Sequence, residues 1–210
     1  MSSPEAGRKG TFTINRLEAL TDAVFAIVMT LLVLDLSIKG IPQSSVQAEL
    51  PRRLFELWPG FLSYAMSFII LGMVWLSHHR IFHYIKQANP MLIWINILFL
   101  MFIALVPFST RLMADYLWQQ VPFVVYGINL FLALILRLAL WNYASGKSRL
   151  VDSSINPIVI KRLKLFIGIV PPTMFLVMIG VSFLNTIAGW VILWLLIPYG
   201  VLSQRLVGSE

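Results

Sequence analysis

With 210 residues, 59% of them hydrophobic and only 12% charged, this chain lies well outside soluble domains, where about a quarter of residues are charged. That composition defines an integral membrane protein and leaves no room for a sizeable soluble domain beside the spans. The net charge of +7 does not point to nucleic acid, because the basic residues are scattered between apolar stretches as in membrane loops. Without cysteine there is neither a disulfide framework nor a thiolate metal site.

A span needs about 20 mostly apolar residues. The sequence predicts six, at 14–36, 57–80, 90–112, 121–144, 160–184 and 186–203. The expected fold class is all-α integral membrane, one six-helix transmembrane domain over 1–210. Asp22 inside the first apolar run argues against a cleaved signal peptide, which needs an uninterrupted apolar core. The connection over 37–56 contains Pro42, Pro51 and a short amphipathic piece, and is expected at the membrane surface. A Ser/Asn/Pro-rich loop at 145–159 is a plausible hinge. In span five, Pro171-Pro172 is expected to kink or unwind the helix, because proline lacks the N–H donor and clashes with the preceding turn. No internal repeat is evident, so the inverted duplication of many transporters is not indicated.

Charge sets an orientation. With the N-terminus inside, inner segments hold Arg8, Lys9, Arg16, Arg80, Lys86, Lys147, Arg149, Lys161, Arg162, Lys164 and Arg205. Outer segments hold only Lys39, Arg52, Arg53 and Arg111. Eleven against four favours both termini in the cytoplasm. Arg137, about two turns inside span four, is expected to snorkel inward along its own stem.

This orientation gathers residues that are far apart in sequence. Arg16, Thr21 and Asp22 enter the membrane from inside on span one. Span two ends at the same face in Trp75-Leu76-Ser77-His78-His79-Arg80, and Asn96 lies two turns into span three. An ionised group at bilayer depth costs roughly 2.5–3.5 kcal/mol on insertion scales, so such groups are expected in a buried hydrogen-bonded cluster. Two readings of the cluster stand open: a gating or proton-sensing network, or a structural staple joining spans one to three. His79 and His83 have the i, i+4 spacing of a zinc pair but no third ligand nearby, so no metal site is expected.

Span one also carries a second pattern. At 100° per residue Ala23, Ile27, Thr30, Leu31 and Leu34 share one face, away from Asp22 and Phe25. Around a symmetry axis such a face would stack rings of isoleucine, threonine and leucine, and hydrophobic rings can gate by dewetting. Alternatively these residues pack against lipid or helices, and Thr30 bonds a carbonyl of its own helix.

The residues Arg16-x-x-x-Leu20-Thr21-Asp22 resemble the Arg-x-x-x-Phe-Ser-Asp signature on the first helix of the lysosomal potassium channel family called transmembrane protein 175. Further similarity to its prokaryotic six-helix branch lies in Thr30-Leu31-Leu32-Val33-Leu34-Asp35-Leu36, in Trp75 with His78-His79-Arg80, and in Pro107-Phe108-Ser109-Thr110. Leucine stands for phenylalanine at 20 and threonine for serine at 21. Spans four to six agree only in number and hydrophobicity. The resemblance implies a homotetramer whose first helices line a central pore for monovalent cations. By position, Ile27 matches the hydrophobic constriction and Thr30 the threonine layer linked to potassium preference. Leu34 is the next ring outward, with Leu31 beside the stripe. Arg16, Thr21 and Asp22 match the signature network, with Trp75, His78, His79 and Asn96 as its expected partners.

The chain has no Thr-Val-Gly-Tyr-Gly segment. Pro198-Tyr199-Gly200 lacks the preceding glycine, so a carbonyl-cage filter is not expected. Selectivity from side-chain rings implies a modest potassium-over-sodium preference, with larger alkali cations also permeant. No cofactor or nucleic-acid partner is expected, and no Arg-rich voltage sensor is present. The location expected for a prokaryotic source is the plasma membrane. The competing reading is a proton-coupled secondary transporter with an Asp22–His78 relay. An enzyme is excluded by the absence of nucleophile, zinc-protease and phosphate-loop motifs; Ser77 and His78 are adjacent on a helix and do not face each other.

Overall fold

The computed structural model describes residues 13–208 except 39, 147, 149 and 153. Of the basic residues behind the orientation, Arg8, Lys9, Lys39, Lys147 and Arg149 lie outside the described residues. Among the described residues, six helices are long and apolar enough to cross a membrane. Span one is α1 (Ile14–Leu34). The amphipathic α2 (Val46–Glu56) follows, then span two as α3 (Trp58–Tyr84). Span three comprises α4 (Pro90–Ala104) and α5 (Val106–Asp115). Span four is α6 (Gln120–Ser145). Span five comprises α7 (Pro157–Arg162), a π-helical stretch Leu163–Ile169 and α8 (Val170–Ser182), and span six is α9 (Thr186–Gly208). The all-helical six-span architecture read from hydropathy is the architecture observed.

Three spans start on asparagine caps. Asn89 accepts from Leu92 N–H (2.9 Å) ahead of Pro90, and Asn156 accepts from Ile158 N–H (2.9 Å) ahead of Pro157. Asn185 accepts from Ile187 N–H (2.8 Å). Each asparagine satisfies an orphan donor, and a proline at the first helical position has none to lose. Span three bends at Leu105, because Pro107 cannot donate to the carbonyl a turn before it.

Span four is the centre of the bundle, with 12 of its 26 residues buried against 5 of 21 in span one. It packs between span three and α8. Span one lies against α3, α4 and α5 at one side. The 145–159 connection is more than a hinge: Lys86 N–H donates to Leu150 O (2.8 Å) and Asp152 N–H to Tyr84 O (3.2 Å), tying it to the C-terminal end of span two.

Two expectations change here. Span five does not unwind at Pro171-Pro172; it widens in the turns before them. Val170 N–H bonds the Leu165 carbonyl five residues back. In that register the missing N–H groups of Pro171 and Pro172 are those that Phe166 O and Ile167 O would have received. Side chains from other spans replace them: Tyr199 donates its hydroxyl to Phe166 O (2.6 Å), and Arg137 Nη2 donates to Ile167 O (2.5 Å). Arg137 therefore does not snorkel. It is 2% exposed, because a carbonyl orphaned inside the bundle lies within its reach, and its Nη1 donates to Ser77 Oγ.

Candidate pore face and its polar supports

The two faces of α1 have different fates. Leu17, Thr21, Phe25, Val28 and Leu32, spaced three and four apart, are buried against spans two and three. Phe25 packs on Phe99 with ring centroids 6.0 Å apart. The opposite stripe is left uncovered by its own chain. Ile27 is 58% exposed, Leu31 41% and Leu34 69%, with Ala23 and Thr30 also exposed. Thr30 donates its hydroxyl to Ile27 O (2.8 Å). That bond uses its one proton, leaving the lone pairs of the hydroxyl oxygen to accept.

At the N-terminal end, two separate links hold α1. The buried link is a chain: Thr21 donates to Leu17 O (2.9 Å) and accepts from Asn96 Nδ2 (3.0 Å). Asn96 Oδ1 lies 2.9 Å from His78 Nε2. Because the amide nitrogen of Asn96 is spent on Thr21, its oxygen is the acceptor, and the proton of His78 is assigned to Nε2. The imidazole is buried between Phe82 and Phe99, whose centroids are 4.3 and 5.0 Å away. The second link lies at the edge of the exposed face, where Trp75 Nε1 donates to Asp22 Oδ1 (2.8 Å) and His79 stacks on the indole at 5.9 Å.

The expected single cluster is thus two links one residue apart on α1. Adjacent helical residues point about 100° apart, so Thr21 turns into the bundle while Asp22 turns along its surface. Among the described residues no hydrogen bond joins Asp22 to His78, as a direct relay would need, and none joins Arg16 to either link. Arg16 is exposed beside a cleft lined by Leu20, Pro90 and Trp94. Ser77 donates to Val74 O (2.8 Å). His83 lies edge-on to Tyr84.

Sequence reading missed the clamp at the C-terminal end of α1. Asp35, just past the end of α1, pairs with Arg111 at 3.2 Å, and Arg111 also reaches Asp115 at 3.7 Å. It also missed a buried hydroxyl chain between spans two, three and four. Thr110 donates to Ser67 (2.9 Å) and Ser67 to Tyr126 (3.1 Å), while Asn129 donates to Ser109 (3.2 Å). Both involve the Pro107–Thr110 motif or its flank, the one signal that marked this place in the sequence.

Together these features define an integral, multi-pass, all-helical membrane protein whose first helix is pinned at both ends and uncovered between them. Known proteins make the class specific. The family model described as the endosomal/lysosomal potassium channel TMEM175 matches residues 16–107, spans one to three up to the Leu105 bend. A protein of Streptomyces collinus named a potassium channel is 32% identical over 145 residues, 67% of this chain and 69% of its own length. One of Chamaesiphon minutus, also named a potassium channel, is 36% identical over 157 residues, 72% and 73% of the two chains. The crystal structure of a lysosomal potassium-selective channel TMEM175 homolog from Chamaesiphon minutus superposes with a TM-score of 0.75 at 30% identity, covering 90% of this chain and 96% of that one. The chain belongs to the TMEM175 family, a family of ion channels and not of enzymes.

Proposed function

We propose that this chain is the subunit of a potassium-permeable cation channel, a homotetramer in which α1 of each subunit lines a central pore. The observation that carries this reading is the stripe of Ala23, Ile27, Thr30 and Leu34, left open by its own subunit between two clamps. Apolar side chains toward a shared axis suit a constriction that closes by dewetting at Ile27, with Leu34 as the next ring outward and Leu31 flanking it. Thr30 offers hydroxyl oxygens to a partly dehydrated cation. Selectivity then comes from side-chain rings and pore width, giving a modest preference for potassium over sodium. The permeant cation is the sole ligand in this account, with no cofactor. Charge asymmetry supports cytoplasmic termini, and the bacterial relatives support the plasma membrane.

The test is a planar-bilayer recording of the purified protein with potassium on one side and sodium on the other. A current whose reversal potential favours potassium is expected. Absence of current, with proton-driven uptake in vesicles instead, overturns the channel reading.

A further inference from the structure

The open stripe of α1 has two different edges. At 100° per residue Asp22 and Met29 border it on one side, Leu17 and Leu20 on the other. The first edge belongs to α3: Trp75 donates to Asp22, and the Met29 methyl lies 4.0 Å from where a Cβ on Gly72 would stand. The second belongs to α4, where Leu17 and Leu20 share a cleft with Ile93, Trp94 and Ile97. Across one side of the subunit the order is therefore α3, the stripe of α1, then α4.

Both flanking helices are uncovered by their own chain. On α4, Trp94, Leu98 and Met101 are exposed on one face, with Leu105 just past its end. On α3, Phe68 and His79 are exposed on the face that carries Gly72. The subunit itself does not require glycine at 72, since a Cβ there would meet only the Met29 methyl at ordinary contact distance. Glycine inside a helix costs about 1 kcal/mol relative to alanine, and in membranes small residues let a second helix approach closely. The two faces also match in height. The His78–Asn96 bond fixes α3 against α4, and the two helices run in opposite directions. Counting about 1.5 Å per residue from that bond, His79 lies level with Trp94, Gly72 with Met101 and Phe68 with Leu105, each to within about 2 Å. Rotation about an axis along the membrane normal keeps every height, so the same levels meet between neighbouring copies.

We infer that the α4 face of one subunit docks on the α3 face of the next, with Met101 seated over Gly72 and Trp94 beside His79. The occupant of each face is a second copy of this chain. The inference rests on the pore reading of α1, because an axis in front of the stripe is what brings the α4 flank of one copy to the α3 flank of its neighbour. The contact joins two different patches, and such a heterologous contact closes into a ring where a self-complementary one stops at a pair. Each α1 is then held from behind by its own subunit, while the neighbour covers the flank beside its stripe.

The absence of cysteine makes the contact testable in the full chain, in membranes of the expressing cells, with a short bismaleimide. His79→Cys and Trp94→Cys in one chain are expected to give a ladder of two, three and four linked copies on a denaturing gel. Either substitution alone is expected to give single copies only, as is His79→Cys with Leu176→Cys, exposed on α8. A ladder from Trp94→Cys alone, or from the α8 pair, overturns the inference. So does the lack of a ladder from the 79–94 pair in a protein whose native mass is that of a tetramer, an outcome that leaves the pore reading standing; a monomeric native mass overturns both. Assembly gives a second readout. Gly72→Leu is expected to weaken tetramer formation at least about tenfold, while Gly180→Leu, at a glycine with open space on α8, leaves it unchanged. A tetramer as stable with Gly72→Leu as without it contradicts the docking of Met101 there.

Discussion

The two faces of span one are built from the same residue types and meet opposite conditions. One face, Phe25, Val28 and Leu32, is buried within the subunit, and the other, Ile27 and Leu34, is more than half exposed. A soluble helix with such an open face would be a liability. Inside a membrane it is held for lipid or for further copies of the same helix. Its position is fixed from behind and from both ends, by Thr21–Asn96–His78 and Asp22–Trp75 at the N-terminal end and by Asp35–Arg111 at the C-terminal end. The comparison separates stability from permeation: substitutions on the buried face should act on the first, and substitutions on the open stripe on the second.

The sharpest contrast comes from Phe25→Ala. Its ring is 1% exposed, and truncating a buried phenylalanine costs about 3–5 kcal/mol. A large loss of unfolding stability in detergent is expected, and an unchanged unfolding curve would break the assignment of this face. Next is Asn96→Leu, which leaves the His78 Nε2–H without its acceptor and removes the donor to Thr21. A loss of about 1–3 kcal/mol is expected, with the potassium preference of any remaining current unaltered. Arg111→Ala removes a half-exposed pair with Asp35, and solvent screening limits the loss to about 0.2–1 kcal/mol.

Smallest in stability, within about 0.5 kcal/mol, are changes on the open stripe, where the functional effect is expected instead. Ile27→Asn should raise single-channel conductance by wetting the constriction. Thr30→Ala should move the bi-ionic reversal potential toward zero, and Thr30→Ser, which keeps the hydroxyl, should restore it. A stripe variant that unfolds the protein while leaving permeation intact would erase the distinction between the faces.

How much of this could be read in the sequence depends on how far apart the partners lie. The spans follow from runs of apolar residues, and the division of α1 follows from a 3.6-residue period, both local signals. The links at the N-terminal end of α1 were legible as a set, since the expected orientation brings Thr21, Asp22, Trp75, His78 and Asn96 to similar depth. How they divide was not, because it depends on Thr21 and Asp22 pointing to different sides of one helix. Arg111 read only as a loop charge, since Asp35 is 76 positions away. Span five shows the limit most clearly. Pro171-Pro172 announces a disturbed helix, but whether it unwinds or widens rests on Arg137 and Tyr199, donors from spans four and six that no local pattern connects to it.

The central claim, that the open face of α1 lines the conduction path, has a direct test because the chain contains no cysteine. Ile27→Cys and Leu34→Cys can be probed with a small charged thiol reagent during recording, with Trp94→Cys, exposed on span three, as the control. The account predicts that the reagent blocks current through both stripe variants and leaves the control and the unmodified channel unaffected. Block at position 94 with none at 27 or 34 would contradict it and place the pore against another helix.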